Sequence, residues 1–79
     1  MKTATRVKML KGYHLTAVDK RGLLALFNSG LTEGKIKRKT FTLLPSTVSD
    51  IWQATIAMVE SNDYGGKSNR ISNYTITFS

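Results

Sequence analysis

Between Pro45 and Asn62 apolar positions recur at Val48, Ile51, Trp52, Thr55, Ile56, Met58 and Val59. That is the i, i+3, i+4, i+7 stripe of an amphipathic helix. Thr47-Val48-Ser49-Asp50 fits a capping box, with Thr47 as N-cap and Asp50 at N3, and the turn cluster from Asn62 ends the pattern. The spacing therefore predicts a helix from Thr47 to near Ser61. Ile71 to Phe78 has a different period: Tyr74, Ile76 and Phe78 alternate with Thr75 and Thr77, as on a strand with one buried face. Lys35 to Leu44 is strand-like, rich in Lys, Ile, Thr and Phe with no helix cap, and Thr3 to Leu10 is a weaker strand.

Tyr13 to Asn28 reads two ways. As a hairpin, Tyr13–Val18 pairs with Leu23–Asn28 around Asp19-Lys20-Arg21-Gly22, whose Asp and Gly suit a type I turn with a G1 bulge. As a helix, Thr16-Ala17-Val18-Asp19 is a capping box, Leu23, Leu26 and Phe27 form the stripe and Gly30 sits near C′. The helix carries Gly22 in mid-course at a cost of about 0.8–1 kcal/mol relative to Ala, so the hairpin is preferred. The expected fold is then α+β: a small antiparallel sheet in the order β-β-β-β-α-β, with one amphipathic helix packed on one face and the other sheet face partly basic.

With 79 residues, the chain is expected to form a single domain, residues 1–79. A domain this small buries only about 60% of its unfolded surface, which makes a homodimer a natural way to add stability. Lys8 and Lys11 interrupt any secretory apolar region after the basic first residues, and the longest apolar run is Leu23 to Phe27. These features predict a soluble, cytoplasmic protein with no membrane partner.

The chain is strongly basic. Twelve Lys/Arg face five Asp/Glu, a net of +7. Residues 1–45 hold ten basic residues against Asp19 and Glu33, whereas residues 46–79 hold Lys67 and Arg70 against Asp50, Glu60 and Asp63. One part of the molecule should attract polyanions. The densest cluster is Lys35, Lys37, Arg38 and Lys39. On one continuous strand Lys35, Lys37 and Lys39 would stand about 6.5–7 Å apart on one face, a spacing that suits successive phosphates. The same alternation places Phe41 and Leu43 on that face, unless a bulge near Lys39-Thr40 switches it. Arg6, Lys8 and Lys11 form a second cluster, and Lys20 and Arg21 stand at the tip of the expected hairpin. Tyr13, Phe27 and Tyr64 are candidates for base stacking. Trp52 is expected as a core anchor, with an interface hot spot as the other reading.

The inventory for catalysis is thin. There is no cysteine and one histidine, His14, so thiolate metal sites, disulfides and cysteine nucleophiles are excluded. Asp19, Asp50 and Asp63 are explained by turns and caps, and Glu33 and Glu60 have no partner at a telling spacing. Gly65-Gly66-Lys67-Ser68 resembles the tail of a phosphate-binding loop but lacks its first glycine and a following helix. No metal or cofactor is expected. RNP-type and Gly-x-x-Gly RNA-binding motifs are absent from the sequence. The expected function is non-enzymatic nucleic-acid binding, DNA or RNA, dominated by backbone electrostatics through Arg6, Lys8, Lys11, Lys20, Arg21, Lys35, Lys37, Arg38 and Lys39. The alternative is a small protein inhibitor or adaptor, of the virus-encoded counter-defence or antitoxin type, that blocks a host enzyme, with or without RNA.

Overall fold

The computed structural model describes residues 3–12 and 14–79. It contains β1 (Val7–Lys11), α1 (Ala17–Ser29), β2 (Glu33–Ile36), β3 (Lys39–Pro45), β4 (Trp52–Ser61) and β5 (Lys67–Phe78). The strands form one open sheet in the order β1-β5-β4-β3-β2, with every neighbouring pair antiparallel. The helix lies on one face. The α+β class and the helix-on-sheet layout are those expected, but the element order is β-α-β-β-β-β. No helix among the described residues is long and apolar enough to cross a membrane.

Residues 17–29 take the helical alternative. Thr16 caps the N-terminus, its Oγ1 accepting from the Asp19 N–H at 3.2 Å. Gly30 ends the helix at φ 69°, and the Leu31 N–H closes on the Leu26 carbonyl at 3.0 Å, satisfying carbonyls the last turn would otherwise leave open. Gly22 permits close packing: a Cβ there would stand 3.0 Å from the Phe41 ring and 3.1 Å from Ile36 Cδ1, so both side chains would have to give way. The glycine that looked like a turn signal lets the helix settle on β3, and the contact offsets its propensity cost. Tyr13, the start of the expected hairpin and a stacking candidate, lies outside the described residues.

The predicted helix over 47–61 is instead a tight turn followed by β4. Asp50 adopts φ 65°, the Val48 N–H bonds Ser46 Oγ at 3.3 Å, and Trp52–Ser61 pairs with β3 on one side and β5 on the other. The segment carries both periodicities. Trp52, Ala54, Ile56 and Met58 alternate as well as Ile51, Trp52, Thr55 and Ile56 recur at helical spacing. Two partner strands decide for the former, because β-branched and aromatic residues suit a doubly paired strand.

Alternation divides the sheet cleanly. Val7, Phe41, Leu43, Ala54, Ile56, Tyr74 and Ile76 face the helix and form one core with Leu15, Leu23 and Leu26. Burial of each large side chain among them stabilises the fold by roughly 1.5–3 kcal/mol. Phe27 stacks on Phe78 at 4.1 Å, and Trp52 meets Phe27 edge-on at 5.6 Å, extending the core beneath the helix C-terminus. The N-terminal segment is fastened there by Asn28, whose side chain accepts from the Ala4 N–H at 2.8 Å and donates to the Ala4 carbonyl at 2.9 Å. At the opposite end β4 and β5 run past their neighbours as a two-stranded arm, so the molecule measures 46 × 22 × 20 Å.

Candidate nucleic-acid interface

The face turned away from the helix is uncovered. The pairing register aligns its side chains in rows across the sheet. Lys11, Thr75, Gln53 and Leu44 form one row; Asn73, Thr55, Thr42 and Glu33 the next; Ile71, Ala57, Thr40 and Lys35 a third. Lys8 and Thr77 lie on the same face beyond the first row, and Asn69, Val59, Ser61 and Lys67 continue it along the arm. The floor is therefore built of Thr, Asn and Gln interspersed with the exposed apolar side chains of Leu44, Val59 and Ile71. Lys8 and Lys11 mark one rim and Lys35 the other, four strand spacings or roughly 19 Å apart.

The floor has a defined donor pattern. The Thr55 hydroxyl donates to Asn73 Oδ1 at 3.1 Å, and the Thr75 hydroxyl donates to Gln53 Oε1 at 3.3 Å. Each bond engages an amide oxygen of an exposed residue, and its amide NH2 remains a donor to offer a partner. Amide and hydroxyl groups of this kind are the usual uncharged partners of phosphate oxygens and sugars. Glu33 is the one acid in these rows; Asp19 and Glu60 belong to the helix-facing side.

The sequence-predicted basic residues do not converge on one surface. Lys8, Lys11 and Lys35 share the open face. Lys37 and Arg38 form the two-residue turn between β2 and β3, because Ile36 pairs with Lys39. This turn, not a bulge, breaks the expected lysine ladder. Lys39 faces the helix with Phe41 and Leu43, and its ammonium lies 2.9 Å from the buried Asp19 carboxylate. It neutralises a core acid and is not available to a polyanion in the way Lys35 is. Lys20 and Arg21 are exposed on the helix, on the opposite side of the molecule, not at a hairpin tip. Arg6 is exposed beside the C-terminal residue, its N–H bonded to the Ser79 carbonyl at 2.9 Å.

No family model, curated protein or solved structure matches the chain. The geometry of the site is thus the ground for its chemistry.

Among the described residues the aromatic side chains are placed away from the open face. Phe27, Phe41, Trp52, Tyr74 and Phe78 all belong to the core or pack against it. Tyr64 caps the arm, 98% exposed, in a turn that Asn62 organises by accepting from the Tyr64 and Gly66 N–H groups at 2.9 Å each. The described part of the open face thus offers donors, cations and the aliphatic side chains of Leu44, Val59 and Ile71, but no aromatic stacking platform. Among the described residues no group of three or more metal-ligating side chains comes together. Sequence reasoning missed Gln53, Asn73 and Lys67 as members of this surface. The alternation Lys67, Asn69, Ile71, Asn73, Thr75, Thr77 was the available signal for the β5 members.

Proposed function

We propose that the protein is a non-enzymatic nucleic-acid-binding module that lays its open sheet face against the backbone of a duplex. The observation that carries this reading is the uncovered Thr/Asn/Gln floor with lysines on both rims. Phosphate contacts position a protein on a duplex without reading its sequence, and the donors here are of that kind. The absence of stacking aromatics from the described part of this face favours a duplex over a single strand, whose bases need π-surfaces to stack on.

The test is a titration of the purified protein with labelled duplex DNA, duplex RNA and a single strand across a salt series. The expected result is tighter binding to a duplex, with log affinity falling linearly in log salt by about 0.9 per phosphate contact on B-DNA. Replacing Lys8, Lys11 and Lys35 by Gln should flatten the DNA slope by about 2 to 3. Replacing Lys20 and Arg21 by Gln, on the helix side, should leave it nearly unchanged. Equal sensitivity in the two variants would remove the open face from the account.

A further inference from the structure

The second basic feature of the molecule lies elsewhere and does not rest on the nucleic-acid reading. A cleft of about 460 Å³ opens between the helix N-terminus and the β2–β3 turn, walled by Val18, Ile36 and Met58 and bordered by Lys37, Arg38 and Lys39. Ile36 also borders a second cavity of about 200 Å³ that runs along β2 beneath Ala25 and Leu31. Val18, Ile36 and Leu31 are 43%, 37% and 56% exposed, so an apolar groove follows the length of β2. Neither Lys37 nor Arg38 has an acidic partner among the described residues.

β2 is an edge strand. The Leu43 N–H bonds the Thr32 carbonyl at 2.8 Å, and Ile36 pairs with Lys39 across the two-residue turn. This phase turns the backbone N–H and C=O groups of Glu33 and Lys35 away from β3, towards the free edge. An added strand would find main-chain partners there, apolar pockets for alternate side chains, and cations at one end. Those are the elements of β-strand addition. The turn is also built against local preference: Lys37 has φ 56°, at the first central position of a two-residue hairpin, where glycine is the usual residue for positive φ. Non-glycine residues held this way cluster at binding sites.

We infer that the β2 edge and its groove dock an extended acidic segment of a protein partner, apolar at alternate positions, with its carboxylates against Lys37 and Arg38. Charge selects this occupant over a second copy of the chain. Two β2 edges paired antiparallel about Gly34 would set Glu33 of each against Lys35 of the other and carry the two Lys37-Arg38 turns to opposite ends, where the second β2 offers them no carboxylate.

Selection of displayed random dodecapeptides on the immobilised full chain tests the inference. The selected pool is expected to be rich in Asp and Glu and to alternate with Val, Leu or Ile. A labelled peptide from that pool should bind roughly tenfold or more weakly to the Lys37→Glu/Arg38→Glu variant, where like charges meet. Lys35→Pro removes an outward N–H without touching the β2–β3 ladder, and should weaken binding relative to Lys35→Gln. Lys8→Gln/Lys11→Gln should have no effect, which separates this surface from the open face. A pool without acidic enrichment, or binding that survives the charge reversal, overturns the inference. So does sedimentation showing that the chain alone dimerises and that Lys35→Pro abolishes the dimer.

Discussion

The two faces of the sheet are made by the same strands and share every backbone hydrogen bond, yet alternate residues commit them to different work. On β3, Phe41 and Leu43 are buried under the helix while Thr42 between them looks outward. On β5, Tyr74 and Ile76 are buried while Asn73 and Thr75 join the polar floor. A period-two pattern thus separates residues that hold the fold from residues free to meet a partner. One cation crosses this division. Lys39 belongs to the basic cluster by sequence and to the core by geometry, because it neutralises Asp19.

The largest effect should come from the covered face. Phe41→Ala is expected to cost about 3–5 kcal/mol, from lost burial and the cavity left beneath Gly22, read as a lower midpoint in urea. Thr42→Ala, one residue on, should change stability by less than about 1 kcal/mol. Comparable losses at the two positions would erase the distinction between the faces. Next in size is Lys39→Met, which leaves the Asp19 carboxylate buried without its partner and should cost about 2–3 kcal/mol. The double variant Asp19→Leu/Lys39→Met should recover much of that loss, since well-packed apolar pairs often replace buried ion pairs without penalty. Smaller again is Lys37→Gly, which should raise stability by about 1 kcal/mol by relieving the left-handed residue. The smallest stability change is expected for Thr55→Val/Thr75→Val, within about 0.5 kcal/mol. That pair should nonetheless weaken duplex binding, because the hydroxyls no longer orient the Asn73 and Gln53 amides.

Much of the architecture was legible in the chain. Tyr74, Ile76 and Phe78 announced β5 and its buried face, and one helix packed on an antiparallel sheet is the layout the patterning led one to expect. The helix itself was misplaced for two physical reasons. Residues 52–61 satisfy both helical and strand periods, and pairing with β3 and β5 decided between them. Gly22 mimicked a turn, because its role is to admit Phe41, a contact more than a dozen residues away in sequence. The site was legible in part. Lys8, Lys11 and Lys35 do share the open face. Lys37, Arg38 and Lys39 were separated from them by a two-residue turn that contains neither Gly nor Asn, the residues by which such turns are usually recognised. Gln53 and Asn73 carry no charge and become notable when the register sets them beside Thr75 and Thr55.

The most direct measurement is the salt dependence of duplex binding by the wild-type chain and by the Lys8→Gln/Lys11→Gln/Lys35→Gln variant, side by side. Binding through the open face predicts a steep linear dependence for the wild type and a slope flatter by about 2 to 3 for the variant on DNA, with unfolding midpoints unchanged. A variant that binds with the wild-type slope would contradict it, and would move the polyanion contact from the open sheet face to another surface of the molecule.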